Sequence, residues 1–359
     1  MDDNVHAPDS PAAPAAPPVA PGPRIESFHF SATGAEYFRI WIVNLLLTIV
    51  TLGIYSAWAK VRRLRYFYGS TTLAGASFEY HGRPLAILKG RLIAAALVIP
   101  YFVVGVLFPP WDLLFVPAFL IALPFLVVKS RLFSMRMTSW RNIRFDFDGT
   151  YGGAAKVYFG FLLLTIVTFG LAAPYWTFAR QRFLISHTRL GTTQFEFSGS
   201  AGEYYTAIIL GGLAIVGGVV GATFLSILVP ETAPIFGKFD LRSLFVLPLV
   251  GVAYMFGFAV MNAGIGNAAF GNTHIGPHRL RCDLRTARLF WLYLSGAVAA
   301  VFTLGLLIPW AKVRLVRYQL DSLQLNVSRD LEQFVATEQS QVAATGQEIG
   351  DLLDVDFGL

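Results

Sequence analysis

The segment LLLTIVT at residues 45–51 occurs a second time at residues 162–168. The match extends beyond these seven positions, because residues 28–82 align with residues 145–199 without a gap and 18 of the 55 positions are identical. Chance does not produce such agreement, and self-similarity at a fixed spacing indicates a chain built from repeated structural units. We name the recurring segment unit A.

A partial third copy of unit A lies nearer the C-terminus. The motifs TLG at 51–53 and WAKVR at 58–62 recur as TLG at 303–305 and WAKVR at 310–314. Two pairs of apolar segments, which we name B, separate the three copies. The predicted order of units is therefore A-B-A-B-A.

Composition indicates the class of protein. Hydrophobic residues make up 55% of the chain and charged residues only 14%, with a mean hydropathy of +0.57, whereas a soluble domain has about 25% charged residues. Seven apolar stretches lie at 37–57, 88–108, 113–128, 157–175, 205–229, 243–262 and 289–309. Most approach the roughly 20 residues that a helix needs to cross a bilayer, and such unalternating runs argue against a β-barrel. We predict an all-α polytopic membrane protein with about seven apolar helical segments.

Each copy of A has an apolar helix, a T-[LF]-G break, an aromatic and basic stretch, and then a short alternating segment. Gly53, Gly170 and Gly305 interrupt the helix, which predicts kinked or re-entrant A helices. The pattern F-x-[FY]-x-G occurs at 78–82, 145–149 and 195–199, and Phe28-His29-Phe30 has it without the glycine. Period-two patterning between helices predicts small strands that pair at one membrane face.

Changes in composition divide the chain into five parts. They are a Pro/Ala-rich tail at 1–27 that is predicted to be disordered, membrane repeats at 28–144 and 145–279, a partial third repeat at 280–327, and an acidic soluble tail at 328–359. The first tail lacks the basic and apolar regions of a signal peptide. The acidic tail has a helical pattern near 330–343. Because Cys282 is the single cysteine, a disulfide within the chain is excluded.

Two topologies fit the distribution of charge. The connections within the B pairs carry few basic residues, which places them outside the cell membrane and the other ends of both pairs inside. Basic residues then flank the second copy of A on both sides. Either each A helix enters the bilayer and returns at T-[LF]-G, which we favour, or each A crosses once and the two A–B units insert in opposite senses.

Two sets of residues are candidates for function. The predicted lipid-headgroup contacts are Trp58, Lys60, Arg62, Arg63, Arg65, Trp310, Lys312, Arg314 and Arg317, because alternating aromatic and basic side chains suit the membrane interface. The predicted polar-path residues are Glu36, Asn44, Glu203, Asn262 and Asn267. Acids at helix N-termini also interact with the helix dipole, and amides also support close helix packing. Both structural explanations are favoured over a polar path.

The segments LLLTIVTLGIYSAWAKVRRLRYFYG at 45–69 and FEYHGRPLAILKGRL at 78–92 resemble the YjgN-like family of bacterial inner-membrane proteins. The resemblance extends from Phe28 to Leu359. It implies a multi-pass protein of the bacterial inner (cytoplasmic) membrane whose molecular function is uncharacterised, and it transfers no catalytic or binding residues. The second copy departs from the motif, with YWTFAR at 175–180 where the first has WAKVRR at 58–63.

Two functions of different classes follow. The first is transport of a small solute, ion or lipid, which repeats and broken helices favour. The alternative is a non-catalytic membrane scaffold or lipid-interacting protein with aromatic-basic interfacial helices, anionic lipids as partners and an acidic tail that binds a protein. The net charge of +6 is spread beside apolar segments, which favours lipid over nucleic acid. The sequence contains none of the common catalytic motifs, and it predicts no enzyme activity, cofactor or metal site.

Overall fold

The computed structural model describes residues 24–108, 115–229, 240–328 and 330–344. Within these ranges the strands are β1 Arg24–Phe30, β2 Thr71–Leu73, β3 Ala76–Tyr80, β4 Thr138–Trp140, β5 Ile143–Phe147, β6 Thr188–Leu190, β7 Thr193–Phe197, β8 Thr273–Ile275, β9 His278–Cys282 and β10 Leu323–Val327. The helices are α1 Gly34–Val50, α2 Ser56–Gly69, α3 Pro84–Leu107, α4 Phe115–Arg136, α5 Tyr151–Ala155, α6 Phe161–Val167, α7 Ala173–Ser186, α8 Ala201–Ser226, α9 Leu241–Gly271, α10 Thr286–Phe302, α11 Ile308–Asp321 and α12 Leu331–Ala344. A π-helical turn, Lys156–Gly160, joins α5 to α6.

The ten strands form a closed antiparallel barrel in which each strand pairs with its neighbours in the chain and β1 pairs with β10. The prediction of an all-α fold, and the argument against a barrel, were therefore wrong. Hydropathy does not detect this barrel, because its strands are three to seven residues long and lie between the apolar runs. Strands as short as Thr71–Leu73 also show no alternation by which a sequence could reveal them.

The described chain repeats the order strand, helix, helix, strand five times around the barrel. The backbone N–H groups of Ser31, His81, Asp148, Ser198 and Asp283 make equivalent bonds to the carbonyls of Ser70, Met137, His187, Asn272 and Ser322, at 2.8–3.0 Å. Because the strands are antiparallel, all five helix pairs leave and rejoin the barrel at the same rim. We call this rim the helix rim, and the opposite one the turn rim.

The helix pairs are of two lengths. In the first copy of A, α1 has 17 residues and α2 has 14, whereas α8 and α9 of the second B pair have 26 and 31. Three helices in the described ranges are long and apolar enough to cross a membrane, at Pro84–Leu107, Ala201–Ser226 and Arg242–Gly271. The count of seven such segments was wrong. The turn at T-[LF]-G divides each of the three A segments into two short helices, and α4, which holds most of the 113–128 stretch, is not among the three helices found in the described ranges. Both ends of each pair of short A helices lie at the helix rim.

The interior of the barrel is apolar. Each strand contributes one inward side chain to a layer made of Phe28, Leu73, Phe78, Trp140, Phe145, Leu190, Phe195, Ile275, Leu280 and Leu325. The phenylalanines of β1, β3, β5 and β7 stand beside one another, with ring centroids 6.2–6.4 Å apart.

Helix α12 closes the turn rim of the barrel. It buries Leu331 and Val335 against the apolar layer, Glu332 pairs with Arg141 at 2.6 Å, and the Glu338 carboxylate accepts a bond from the Thr192 N–H at 2.8 Å. A helix is therefore present where the pattern near 330–343 predicted one. The predicted N-terminal tail lies outside the described residues, except for Arg24–Ser27 of β1.

Candidate lipid-contact surface and barrel chamber

In each copy of A the two short helices form a hairpin, which we call the A hairpin. The turn of each A hairpin presents one large apolar side chain to its surroundings. Leu52, Phe169 and Leu304 are 95%, 98% and 95% exposed, and each has a φ of about +50°. This left-handed conformation costs a bulky residue roughly 1–2 kcal/mol relative to right-handed backbone. The next residue is a glycine with φ between +89° and +93° in all three copies. The T-[LF]-G motif therefore encodes a tight turn with an apolar tip, and we call these three residues the hairpin tips.

The threonine of the motif satisfies the backbone at this turn. The hydroxyl oxygens of Thr51, Thr168 and Thr303 accept bonds from the N–H groups four residues later, at 2.9–3.1 Å. The same hydroxyls donate to the carbonyls four residues earlier, at 2.6–2.8 Å. Unpaired peptide groups are costly in lipid, so such bonds suit a turn that lies in a bilayer.

Positive charge on the paired helices lies near the barrel. In the described parts of α1 to α11, every Lys and Arg except Arg242 is nine residues or fewer from the barrel end of its helix, which is about 14 Å along the axis. Nine of these side chains are exposed. We choose one from each of five helices and call this set the cationic belt: Arg39, Arg62, Lys89, Arg182 and Arg288.

The aromatic and basic residues predicted to contact headgroups lie on the second arms of the first and third A hairpins. Trp58, Lys60, Arg62 and Arg63 are on α2, and Trp310, Lys312 and Arg314 are on α11. Several of them also make internal contacts. The Arg314 guanidinium lies 4.3 Å from the Trp310 ring centroid and donates to the Ser295 hydroxyl at 3.1 Å. The Lys312 ammonium lies 5.8 Å from the ring centroid of Phe67.

Two of the predicted headgroup contacts hold the barrel to the helices. Arg65 donates to the carbonyl of Gly82 at 3.4 Å, and Arg317 donates to that of Ala32 at 2.6 Å. Asn267, predicted for a polar path, donates to the carbonyl of Leu284 at 3.0 Å. The three carbonyls occupy equivalent positions, four residues after the inward-facing Phe78, Phe28 and Leu280 of their strands. These side chains therefore link the end of one helix pair to the residue that lies two positions before the first helix of the next pair.

The other polar-path candidates do not come together. Glu36 accepts a bond from the Tyr66 hydroxyl at 2.9 Å, and Glu203 accepts one from the Asn272 amide at 2.8 Å. Asn262 bonds to the carbonyl of Phe258, in its own helix. Asn44 is buried, and its side-chain oxygen has no hydrogen-bond partner in the described part of the chain. Glu36 and Asn44 belong to the first helix pair, whereas the rest belong to the fourth.

A chamber inside the barrel was not predicted from the sequence. It has a volume of about 170 Å³ and lies between the apolar layer and α12, where Leu331, Phe334 and His278 complete its wall. His278 is 1% exposed, and neither ring nitrogen has a hydrogen-bond partner among the described residues. Burial lowers the pKa of His278. The F-x-[FY] motif indicated the strands that build the wall, but nothing in the sequence showed that they close into a ring.

Apolar helical hairpins that carry their cations at one end are the arrangement of a helical membrane protein. The chain belongs to the family described as "Bacterial protein of unknown function (DUF898)", whose model matches residues 26–352.

Curated relatives agree with the resemblance found in the sequence. The chain is 33% identical to "Inner membrane protein YjgN" of Escherichia coli O157:H7 over 150 residues, which are 40% of this chain and 36% of that protein. It is 29% identical to the protein of the same name from Salmonella typhimurium LT2 over 203 residues, which are 54% of this chain and 46% of the relative. The chain thus spans less than half the length of these relatives. No solved structure matches it.

Proposed function

We propose that this chain is a multi-pass inner-membrane protein that binds anionic lipids of the cytoplasmic leaflet and has no catalytic activity. In this arrangement the A hairpins insert into that leaflet, the B pairs cross the membrane, and the barrel lies in the cytoplasm. The family and the names of the inner-membrane relatives support the membrane location. We further propose that the helix pairs descend from one duplicated unit.

The observation that carries the proposal is the position of the cationic belt. Positive residues concentrate on the cytoplasmic side of membrane proteins, and in the described helices they concentrate at the helix rim. Anionic headgroups attract such residues by about 1 kcal/mol per Lys or Arg. The belt therefore sets both the orientation of the barrel and the class of lipid that the surface prefers.

Distances from the belt support two depths of insertion. From Arg39 to the end of α1 is 11 residues, or about 17 Å, which is close to half of a hydrocarbon core of about 30 Å. From Lys89 to the end of α3 is 18 residues, or about 27 Å, which is close to the full thickness. With the belt at the headgroups, the hairpin tips reach the centre of the bilayer while the B pairs cross it.

Transport of a solute, ion or lipid stays a prediction. The repeat architecture favoured it, but the polar residues named for a path are divided between two helix pairs and most are engaged in local bonds. The cationic belt and the apolar tips favour the alternative, a lipid-binding scaffold.

The test is the lipid preference of the reconstituted full chain. Electron paramagnetic resonance of spin-labelled phosphatidylglycerol and phosphatidylcholine gives the ratio of their association with the protein surface. We expect phosphatidylglycerol to be preferred severalfold at low salt, and the preference to weaken at high salt because exposed charges are screened.

Variants of the belt provide the control. Replacing Arg39, Arg62, Lys89, Arg182 and Arg288 with Gln should lower the ratio toward one, because five of the nine exposed charges near the barrel are removed. Exchanging Arg and Lys at the same five positions should keep the preference, since the charge is retained. An unchanged ratio in the Gln variant would refute the proposal. Arg65 and Arg317 are left intact because their bonds hold the fold together.

A further inference from the structure

The chamber inside the barrel has the dimensions of a site for a small molecule. Its volume is about 170 Å³, and an apolar protein cavity of about 150 Å³ holds benzene. Six aromatic side chains contribute to its wall, namely Phe28, Phe78, Trp140, Phe145, Phe195 and Phe334. Aromatic walls pack well against a planar ring, by stacking or edge-to-face contact.

The fifth helix pair departs from the other four at this layer. The inward positions of β1, β3, β5 and β7 are phenylalanine, whereas the equivalent position of β9 is Leu280. The ring of phenylalanines is therefore open on one side. His278 precedes Leu280 by two residues, so both side chains are on the same face of β9. The smaller side chain of Leu280, in place of phenylalanine, therefore leaves space next to His278.

His278 distinguishes this chamber from a packing defect. Its side chain borders the chamber, is 1% exposed and packs edge to face against Phe334, with ring centroids 5.1 Å apart. Both ring nitrogens are covered, and neither has a hydrogen-bond partner among the described residues. A buried polar group without a partner destabilises the fold. An apolar side chain of similar size would avoid this cost, so the imidazole is better explained by a partner that enters the chamber.

We propose that the chamber binds a small planar apolar molecule of about the size of phenol that carries one hydrogen-bonding group, and that the His278 ring turns toward the chamber to become the partner of that group. A neutral imidazole has both a donor and an acceptor nitrogen, so it suits a hydroxyl. The lowered pKa of His278 is consistent with a neutral ring at pH 7. This site is separate from the lipid surface, and it does not depend on the function proposed for that surface.

The experiment uses the purified full chain in detergent and fluorine NMR of two probes, 4-fluorophenol and fluorobenzene. Empty micelles at the same detergent concentration give the resonance of the partitioned probe. We expect an additional bound resonance for both probes with the wild-type chain. We expect about fivefold tighter binding of 4-fluorophenol, the contribution of one hydrogen bond.

Three variants assign the site. His278→Phe should bind the two probes equally, and its retained binding of fluorobenzene shows that the chamber is intact. Leu280→Phe completes the phenylalanine ring, so it should fold and weaken both probes at least tenfold. His274→Phe is the matched control, because His274 is on the same β8–β9 hairpin and does not line the chamber. It should behave as the wild type.

Three results would each overturn the proposal. One is that the wild-type chain gives no resonance beyond that of the micelles for either probe, and another is that it binds the two probes equally. The third result is that His278→Phe keeps the preference for 4-fluorophenol. If His278→Phe does not fold, the Leu280→Phe variant tests the proposal instead. Undiminished binding of both probes by Leu280→Phe would show that they bind outside the chamber, and it would overturn the proposal.

Discussion

At the scale of single residues, the glycine that ends F-x-[FY]-x-G makes room for the aromatic ring two residues earlier. A Cβ built on Gly149 would lie 2.4 Å from the Phe147 ring and 2.9 Å from that of Phe183. Both rings are buried in one cluster, so they cannot move aside cheaply.

We therefore expect Gly149→Ala to reduce the free energy of unfolding by about 1–3 kcal/mol, the usual cost of overpacking. Thermal unfolding followed by circular dichroism measures this as a lower Tm. Gly152→Ala is the control, because a Cβ at Gly152 meets nothing within 4 Å. Equal Tm values for the two variants would contradict the role given to the glycine.

His278 gives the fold a dependence on pH of known sign. Its pKa is lowered by burial in the folded chain, whereas an unfolded histidine has a pKa of about 6.5. Between these two values the unfolded chain binds more protons, so stability falls as pH decreases through about 6.5 and levels off below the folded pKa. We expect the Tm of His278→Phe to fall less than that of the wild type between pH 7.5 and 5.5. A parallel fall in both would assign the effect to other groups.

At the scale of elements, the T-[LF]-G turn and the F-x-[FY] strands could be predicted because each depends on residues that are adjacent in the chain. Gly53 and its equivalents supply the positive φ that the turn requires. The partner strands could not be predicted, since three residues such as Thr71–Leu73 show no period.

The roles of individual arginines on α2 also could not be predicted from residues that are adjacent in the chain. The sequence WAKVRRLR did not distinguish Arg62, which belongs to the cationic belt, from Arg65, which is also exposed but bonds to the carbonyl of Gly82 just before the next helix pair. Only the arrangement of helices around the barrel separates the two roles.

The depth of the hairpin tips is a prediction at this scale. A nitroxide attached at Leu52→Cys should collide often with oxygen and rarely with a water-soluble nickel chelate, because the tip is expected near the bilayer centre. A nitroxide at Arg62→Cys, in the cationic belt, should show the reverse balance. Frequent collisions of the Leu52 label with the nickel chelate would show that the hairpin does not enter the lipid.

At the scale of the whole molecule, closure of the barrel joins the two ends of the described chain. Strand β1 pairs with β10 at Ile25 and Asn326, about 300 residues apart, and such long-range pairing has no local cause. The sequence therefore indicated hairpins and strands, but not that five helix pairs share one ring. For the same reason the chamber, which exists only inside the closed ring, was not foreseen.

The central claim is that every helix pair leaves and rejoins the barrel on one side of the membrane. Cysteines at Ile25, Glu79 and Glu196 mark exposed barrel positions on β1, β3 and β7. The native Cys282 should interfere little, because burial raises its pKa to about 11 and the thiolate is the reactive form.

A membrane-impermeant maleimide applied to spheroplasts and to inside-out vesicles is the most direct measurement. The structure predicts that all three cysteines are labelled in inside-out vesicles and none in spheroplasts. Labelling of the cysteine at Glu79 from the side opposite to the other two would mean that the first A segment crosses the membrane once, which would contradict the account.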